Sequence, residues 1–132
     1  MALLNAWVAL VTLLSLVLYL VTLVQVGQGR GKHGVAAPAM TGHPDFERLV
    51  RVQANTLEGM VLYLPALWLC ALFTDPRLAA GLGVVWIVGR ALYAVSYARE
   101  AAARRNGFLM QGVATLALLI AAFYGVIRAL VA

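Results

Sequence analysis

Charged residues are scarce in this chain. Asp, Glu, Lys and Arg make up 11% of its 132 residues, whereas hydrophobic residues make up 64% and the mean hydropathy is +0.91. A soluble domain of this size usually has about 25% charged residues. The composition therefore excludes an ordinary soluble domain and predicts an integral membrane protein, of a length that suits one compact bundle.

Cysteine and acidic residues are also rare. Cys70 is the only cysteine, so an intrachain disulfide is excluded, and its apolar sequence surroundings favour a buried, inert thiol. Five acidic residues stand against ten basic ones, which gives a formal net charge of +5. In a membrane protein such an excess sets the topology, so we expect no nucleic-acid partner. No metal site is expected either.

The first long apolar segment, residues 2–26, contains no charged side chain. It is long enough for one membrane crossing, which needs about 20 residues. Small four-helix multidrug transporters resemble this chain in size but carry a Glu in their first helix, so the lack of one here argues against a transporter. Gly27 is predicted to end this helix and to begin a Gly-rich loop that reaches Pro44.

Three further helices are predicted, over residues 45–73, 77–104 and 108–131. Asp45 is the expected cap of the second helix, and Pro65 is expected to kink it. Asp75 is the expected cap of the third helix, with Pro76 at its first position. The four helices are predicted to form one all-α, transmembrane four-helix bundle over residues 1–132.

The second and third predicted helices are largely apolar, but each contains polar residues that recur with helical spacing. At about 100° per residue, four of them fall within roughly 80° on the second helix and four within roughly 60° on the third. The first stripe is Arg48, Arg51, Asn55 and Glu58, and the second is Arg90, Tyr93, Tyr97 and Arg104. A charge inside lipid costs on the order of 2.5–3.5 kcal/mol on insertion scales. Both stripes are therefore expected to face protein or a wet cavity, and together to build one basic pocket.

Basic residues are concentrated at one end of the predicted bundle. The end with the two longer loops holds Arg30, Lys32, Arg48, Arg51, Arg99, Arg104 and Arg105, whereas the opposite end holds Arg77 and Arg128. The positive-inside rule then places these loops in the cytoplasm and both termini outside. The predicted pocket opens toward the cytoplasm.

The residue types of the two stripes suit a small, peptide-like zwitterion. Arg binds carboxylates, a Glu can hold an ammonium, and an Asn can pair with a peptide group. An Arg beside a thiol lowers the thiol's pKa and so favours the thiolate, which is the nucleophile. The same residues are equally typical of intramembrane ion pairs and interfacial anchors, and spacing alone does not separate the two interpretations.

The first stripe and its flanks resemble the signature of the MAPEG family, the membrane-associated proteins in eicosanoid and glutathione metabolism. The residues that carry this resemblance are Phe46, Glu47, Arg48, Arg51, Gln53, Asn55 and Glu58 in the second helix, and Arg90, Tyr93, Tyr97 and Arg104 in the third. The resemblance extends over nearly the whole chain, through the four crossings and the loop lengths.

The resemblance implies a homotrimer that binds glutathione, as co-substrate, between neighbouring subunits near the cytoplasmic face. Matching positions imply glutathione contacts from Arg51, Asn55, Glu58, Tyr93 and Tyr97, with Gln53, Arg30, Arg48 and Arg90 as further candidates. Arg104, or Arg105 if the register shifts by one, would stabilise the thiolate.

The implied reaction is conjugation of glutathione to a hydrophobic electrophile delivered by membrane lipid. Reduction of lipid hydroperoxides is a further implied activity, and a non-catalytic lipid-binding protein is the alternative. Gly59 stands where the leukotriene-forming branch has an aromatic residue, which argues against assigning an eicosanoid substrate. The preference for Arg over Lys fits a bacterial member, located in the inner membrane.

Overall fold

The computed structural model describes the backbone of residues 2–96 and 101–132, and the side chains of all of these except 101–103. Within these residues the chain forms helices and no strand. The helices are α1 (Ala2–His33), α2 (Pro44–Phe73), α3 (Pro76–Ser96) and α4 (Ala101–Val131). Each contains an apolar stretch long enough to cross a membrane. The predicted all-α fold is confirmed, and the protein is an integral, multi-pass membrane protein.

The middle of the bundle is formed by α2 and α3. Both pack against α1 and against α4, whereas α1 and α4 make no contact with each other in the described part of the chain. The core contains Tyr63 and Trp86, whose stacked rings have centroids 4.0 Å apart. The Tyr63 hydroxyl lies 3.0 Å from Ser15 Oγ of α1. This hydrogen bond satisfies a polar group in an apolar core and ties α1 to the bundle.

Large apolar side chains cover the outside of the bundle. Leu3, Trp7, Val61, Val113 and Phe123 are each more than half exposed. Apolar surface on this scale is rare on a soluble monomer. It fits contact with lipid acyl chains along the length of the helices.

The first helix, α1, continues past the predicted break at Gly27. Gly29 is a contact point and not a breaker, because a Cβ at this position would lie 2.6 Å from Leu49 Cδ1 of α2. The helix ends at His33, and the next residue, Gly34, has a φ of +66°, the left-handed conformation that favours glycine. The predicted end of this helix was therefore wrong, because the earlier glycines lie inside a helix.

The fourth helix, α4, begins before the predicted break and carries Gly107 in its interior. A Cβ on Gly107 would lie 2.6 Å from the Gly89 carbonyl oxygen and from the Tyr93 amide nitrogen of α3. Conversely, a Cβ on Gly89 would lie 2.9 Å from the Gly107 carbonyl oxygen. These glycines let two helix backbones approach closely, a common use of small residues between membrane helices.

Arg104 consequently lies on α4 and not on the third helix. The sequence predicted one helix over residues 77–104, extended by the alanines at 101–103. In the structure those alanines are the first residues of α4, so their high helix propensity serves the following helix. Tyr97, placed by the sequence on the second stripe, lies outside the described residues.

Capping differs between the two middle helices. The α2 helix begins at Pro44 with His43 as its N-cap, and His43 Nδ1 accepts a hydrogen bond from the Asp45 N–H at 3.1 Å. The predicted Asp45 cap was wrong, because proline at the first helical position needs no N–H partner and moves the cap upstream. The predicted Asp75 cap is confirmed, since its carboxylate accepts a hydrogen bond from the Arg77 N–H at 2.8 Å.

Candidate functional site

The structure brings Arg51, Asn55 and Glu58 together on one face of α2. They line a cavity of about 350 Å³, to which the segment before α2 contributes Met40 and Thr41. Arg51 and Glu58 are exposed and Asn55 is half-buried. This α2/loop cavity therefore presents a cation, an anion and an amide from about two turns of one helix.

A second cavity, of about 390 Å³, lies between α2 and α4. Asn55 and Glu58 line this α2/α4 cavity as well as the α2/loop cavity, so the two adjoin. Leu62, Leu116 and Leu119 form part of its wall. The pair of cavities thus joins a polar region to an apolar region that faces toward lipid.

Arg90 of α3 lines the α2/α4 cavity from the interior. It is only 1% exposed, and its guanidinium carbon lies 4.3 Å from the centroid of the Tyr93 ring. Its Nε and Nη2 have no hydrogen-bond partner among the described residues. Removing a cation from water is costly when its donors are not fully paired. Arg90 therefore offers free donors for an anionic group, and its planar fork matches a carboxylate.

Arg104 lies one turn along α4 from the α2/α4 cavity. It is half-buried, whereas the adjacent Arg105 is exposed. At about 100° per residue, Arg104 shares a helix face with Phe108, Gln111 and Thr115, all of which line that cavity. Arg105 shares a helix face with Gly112 and Leu116, which also line that cavity. The helical register of α4 therefore does not separate the two arginines, and Arg104 differs from Arg105 in being half-buried.

Two predicted contact residues lie elsewhere within the single subunit. Gln53 Nε2 donates a hydrogen bond to the Tyr19 hydroxyl of α1 at 3.2 Å. Arg30 Nη1 donates to the Ala39 carbonyl oxygen at 2.6 Å, and its guanidinium carbon lies 5.0 Å from the centroid of the Phe46 ring. Neither residue lines the α2/loop cavity or the α2/α4 cavity.

Arg48 is separated from the other members of its predicted stripe. Its Nη1 lies 2.6 Å from Asp45 Oδ1, one turn earlier on α2. It lines a third cavity, of about 490 Å³, together with Gln25 and Lys32 of α1 and Ala94 of α3. Arg48 thus belongs to the side of α2 that faces α1 and α3.

Gln111 of α4 is a site residue that sequence reasoning did not assign. It is 7% exposed, and its Nε2 donates to the Phe108 carbonyl oxygen at 3.0 Å. A Cβ on Gly59 of α2 would lie 3.6 Å from Gln111 Oε1, so the amide oxygen reaches close to the second helix. The available signal was a single amide in an otherwise apolar stretch of helix.

The two adjoining cavities bring complementary groups into one place. Guanidinium groups bind carboxylates, a Glu carboxylate binds an ammonium, and an Asn amide pairs with a peptide group. The polar region therefore matches a small zwitterionic peptide, and the leucine wall matches an apolar molecule. The arrangement can hold both beside each other.

Known proteins resemble this chain over most of its length. The MAPEG family profile matches residues 8–124. An uncharacterized protein of Synechocystis is 46% identical over 121 residues, which cover 92% of this chain and 88% of that protein. Human microsomal glutathione S-transferase 2 is 39% identical over 99 residues, which cover 74% of this chain and 67% of that protein. Leukotriene C4 synthase of Cavia porcellus is 37% identical over 122 residues, which cover 86% of this chain and 81% of that protein.

Proposed function

This chain belongs to the MAPEG family, and on that premise we propose that it is a membrane-bound glutathione transferase that conjugates glutathione to hydrophobic electrophiles. One observation carries the proposal: the two adjoining cavities share Asn55 and Glu58, with Arg51 lining one and Arg90 lining the other. Relatives named as a glutathione transferase and as a leukotriene C4 synthase support the same class of chemistry.

The cavity residues match the polar groups of glutathione. This tripeptide has a carboxylate at each end, an ammonium at one end and peptide bonds between them. In our proposal the carboxylates bind Arg51 and Arg90, the ammonium binds Glu58, and Asn55 pairs with a peptide group. Tyr93 lies against the Arg90 guanidinium and, with Tyr97, is assigned to the same binding region.

We further propose that the site is completed in a homotrimer. Arg30 and Gln53 do not line either cavity of their own subunit, so their proposed glutathione contacts would be made to the neighbouring subunit's site. A closed ring of identical subunits gives every site the same second contributor. It would also cover charged side chains that α2 exposes at the edge of the membrane.

Arg104 is the proposed activator of the glutathione thiol. A free thiol has a pKa near 8.5 and is mostly protonated at pH 7, and a nearby guanidinium favours the thiolate. The thiolate then attacks an electrophilic carbon and forms a carbon–sulfur bond. With an aryl halide, the carbon–halogen bond breaks, halide leaves, and the thiol proton is released to water.

Purified protein incubated with glutathione and an aryl halide tests the proposal directly. We expect conjugation well above the uncatalysed rate, retained in Arg77→Ala at the opposite end of the bundle and strongly reduced in Arg104→Ala. Glutathione binding without turnover of either an aryl halide or a lipid hydroperoxide would instead favour the non-catalytic, lipid-binding alternative. Failure to bind glutathione would reject the transferase function and leave the lipid-binding alternative.

The proposed location is a bacterial inner membrane with the site facing the cytoplasm. The cavities lie at the end of the bundle that carries Arg30, Lys32, Arg51 and Arg104, and the positive-inside rule orients this end inward. A relative from Synechocystis supports a bacterial origin. A cysteine introduced at Ala36 should be labelled by a membrane-impermeant maleimide only when the cytoplasmic side is open. Labelling of intact cells would reverse the orientation.

A further inference from the structure

The chain has only two histidines, and the fold brings them together. His33 is the last residue of α1, His43 is the N-cap of α2, and their ring centroids lie 4.0 Å apart. Asp45, in the first turn of α2, completes the group, since one ligand atom from each of the three residues lies within 4.8 Å of the other two. We propose that His33, His43 and Asp45 form a binding site for a divalent transition-metal ion, with Zn²⁺ as the probe.

The three side chains have the chemistry of a zinc site. Imidazole nitrogen and carboxylate oxygen both coordinate Zn²⁺ at about 2.0–2.2 Å, and three protein ligands plus water complete a tetrahedron. The two histidines are half-buried and Asp45 is exposed, so an ion can enter from solvent. The rings now lie nearly parallel, with an interplanar angle of 23°. Coordination therefore requires at least one ring to turn about its Cβ–Cγ bond.

Neighbouring groups tune the expected affinity. Arg48 holds Asp45 Oδ1 at 2.6 Å, which leaves Oδ2 for the metal, and Lys32 adds a second nearby cation. His43 Nδ1 accepts the Asp45 N–H. A neutral imidazole carries its proton on the nitrogen that does not bind metal, so coordination through either nitrogen ends that hydrogen bond. We therefore expect binding weaker than that of a structural zinc site.

The bound ion would join the end of α1 to the start of α2. The segment between them, residues 34–42, includes Met40 and Thr41, which line the α2/loop cavity. A metal at the base of this segment would hold its two ends together. One wall of the α2/loop cavity would thereby be fixed in place.

Calorimetric titration of Zn²⁺ into the detergent-solubilised protein tests the site. The protein carries no polyhistidine tag, and glutathione is left out because its thiol binds zinc. We expect one Zn²⁺ per chain, with affinity reduced at least about tenfold in His33→Gln, His43→Asn and Asp45→Asn. His43→Asn removes the imidazole but keeps a good N-cap, and circular dichroism verifies that each variant is folded. The matched control is Glu47→Gln, which removes the charge of a nearby carboxylate that does not belong to the group.

Cu²⁺ in place of Zn²⁺ gives an independent readout. Its electron paramagnetic resonance spectrum should show coupling to two imidazole nitrogens in the wild-type chain and to one in each histidine variant. Undetectable Zn²⁺ binding, or affinity unchanged in the folded His33→Gln/His43→Asn double variant, would overturn the proposal. A loss in Glu47→Gln equal to that in Asp45→Asn would also overturn it, because general negative charge would then explain the binding. Glutathione takes no part in these measurements, so they succeed or fail independently of the proposed transferase function.

Discussion

At the scale of single residues, Arg90 shows which properties of a side chain could be predicted from the sequence and which could not. Its spacing from Tyr93 identified one polar face on the third helix, and the structure keeps the two in contact. The sequence did not show that Arg90 lines a cavity closed by α4, because that depends on where α4 begins and how it packs. The sequence also did not identify His33 and His43 as a pair, because a separation of ten residues does not predict that two rings will stack.

Removal of either charged group on the exposed face of α2 should weaken glutathione binding. Arg51→Ala and Glu58→Ala each delete one charge-assisted contact, on the order of 1.5–3 kcal/mol, or roughly 10- to 150-fold in affinity. Calorimetry with each variant measures this, with Arg77→Ala as a charge-matched control at the opposite end. Unchanged affinity in both α2 variants would exclude the α2/loop cavity as the glutathione site.

Arg104→Ala should change the ionisation of bound glutathione more than its affinity. Without the guanidinium the thiolate loses its favourable field, so the pKa of the bound thiol rises, and each unit corresponds to about 1.4 kcal/mol. Turnover at pH 7 should fall and recover in part at higher pH, where the thiol ionises unaided. A titration of the thiolate's ultraviolet absorbance against pH follows the shift.

Arg105→Ala is the control for this measurement. Arg105 is exposed and lies about 100° away from Arg104 around α4, so its loss should leave the titration unmoved. A shift in Arg105→Ala with none in Arg104→Ala would move the activating role by one residue. No shift in either variant would remove the start of α4 from the mechanism.

At the scale of helices, apolar length predicted the crossings well and glycine predicted their ends poorly. Asp75 and Pro76 correctly marked the start of α3, because a cap acts within a few residues of its own position. Gly29 and Gly107 fell in segments predicted to lie between helices, yet each lies where another helix comes close. A glycine can end a helix or can allow another helix to approach closely. Tertiary packing decides between the two, and the local sequence does not predict that packing.

The α3–α4 crossing should be intolerant of a single added methyl group. In Gly107→Ala the new Cβ would meet Gly89 and Tyr93 backbone atoms at 2.6 Å, and overpacking of this kind costs about 1–3 kcal/mol. Gly81→Ala on α3 meets nothing within 4 Å and should be neutral or stabilising by up to about 1 kcal/mol. Unfolding by titration with sodium dodecyl sulfate compares the two. Equal stability would mean that the helices do not cross at these glycines.

At the scale of the whole molecule, composition alone predicted a membrane protein, and the four apolar helices confirm that class. The sequence of a single chain does not predict where one subunit meets the next. Arg30 and Gln53 form hydrogen bonds within their own subunit. Among the described residues, the α2/loop cavity is lined only by α2 and by residues 40–41. In the proposed homotrimer each glutathione site takes residues from two subunits. This arrangement would explain why Arg30 and Gln53 lie outside the cavities of their own subunit.

Co-assembly of two defective variants tests this shared site. Arg51→Ala removes a contact made from the subunit's own α2, and Arg30→Ala removes one that we assign to the neighbour, so each homotrimer should bind glutathione poorly. In trimers formed at random from equal amounts of both, a site is intact when an Arg30→Ala subunit supplies Arg51 and an Arg51→Ala subunit supplies Arg30. Roughly a quarter of the sites meet this condition, and turnover should recover to about that fraction of the wild-type value. Native mass spectrometry in mild detergent verifies that mixed trimers have formed. If they form and activity does not return, both arginines serve the site of a single subunit, and a mass spectrum of monomers alone would reject the trimer itself.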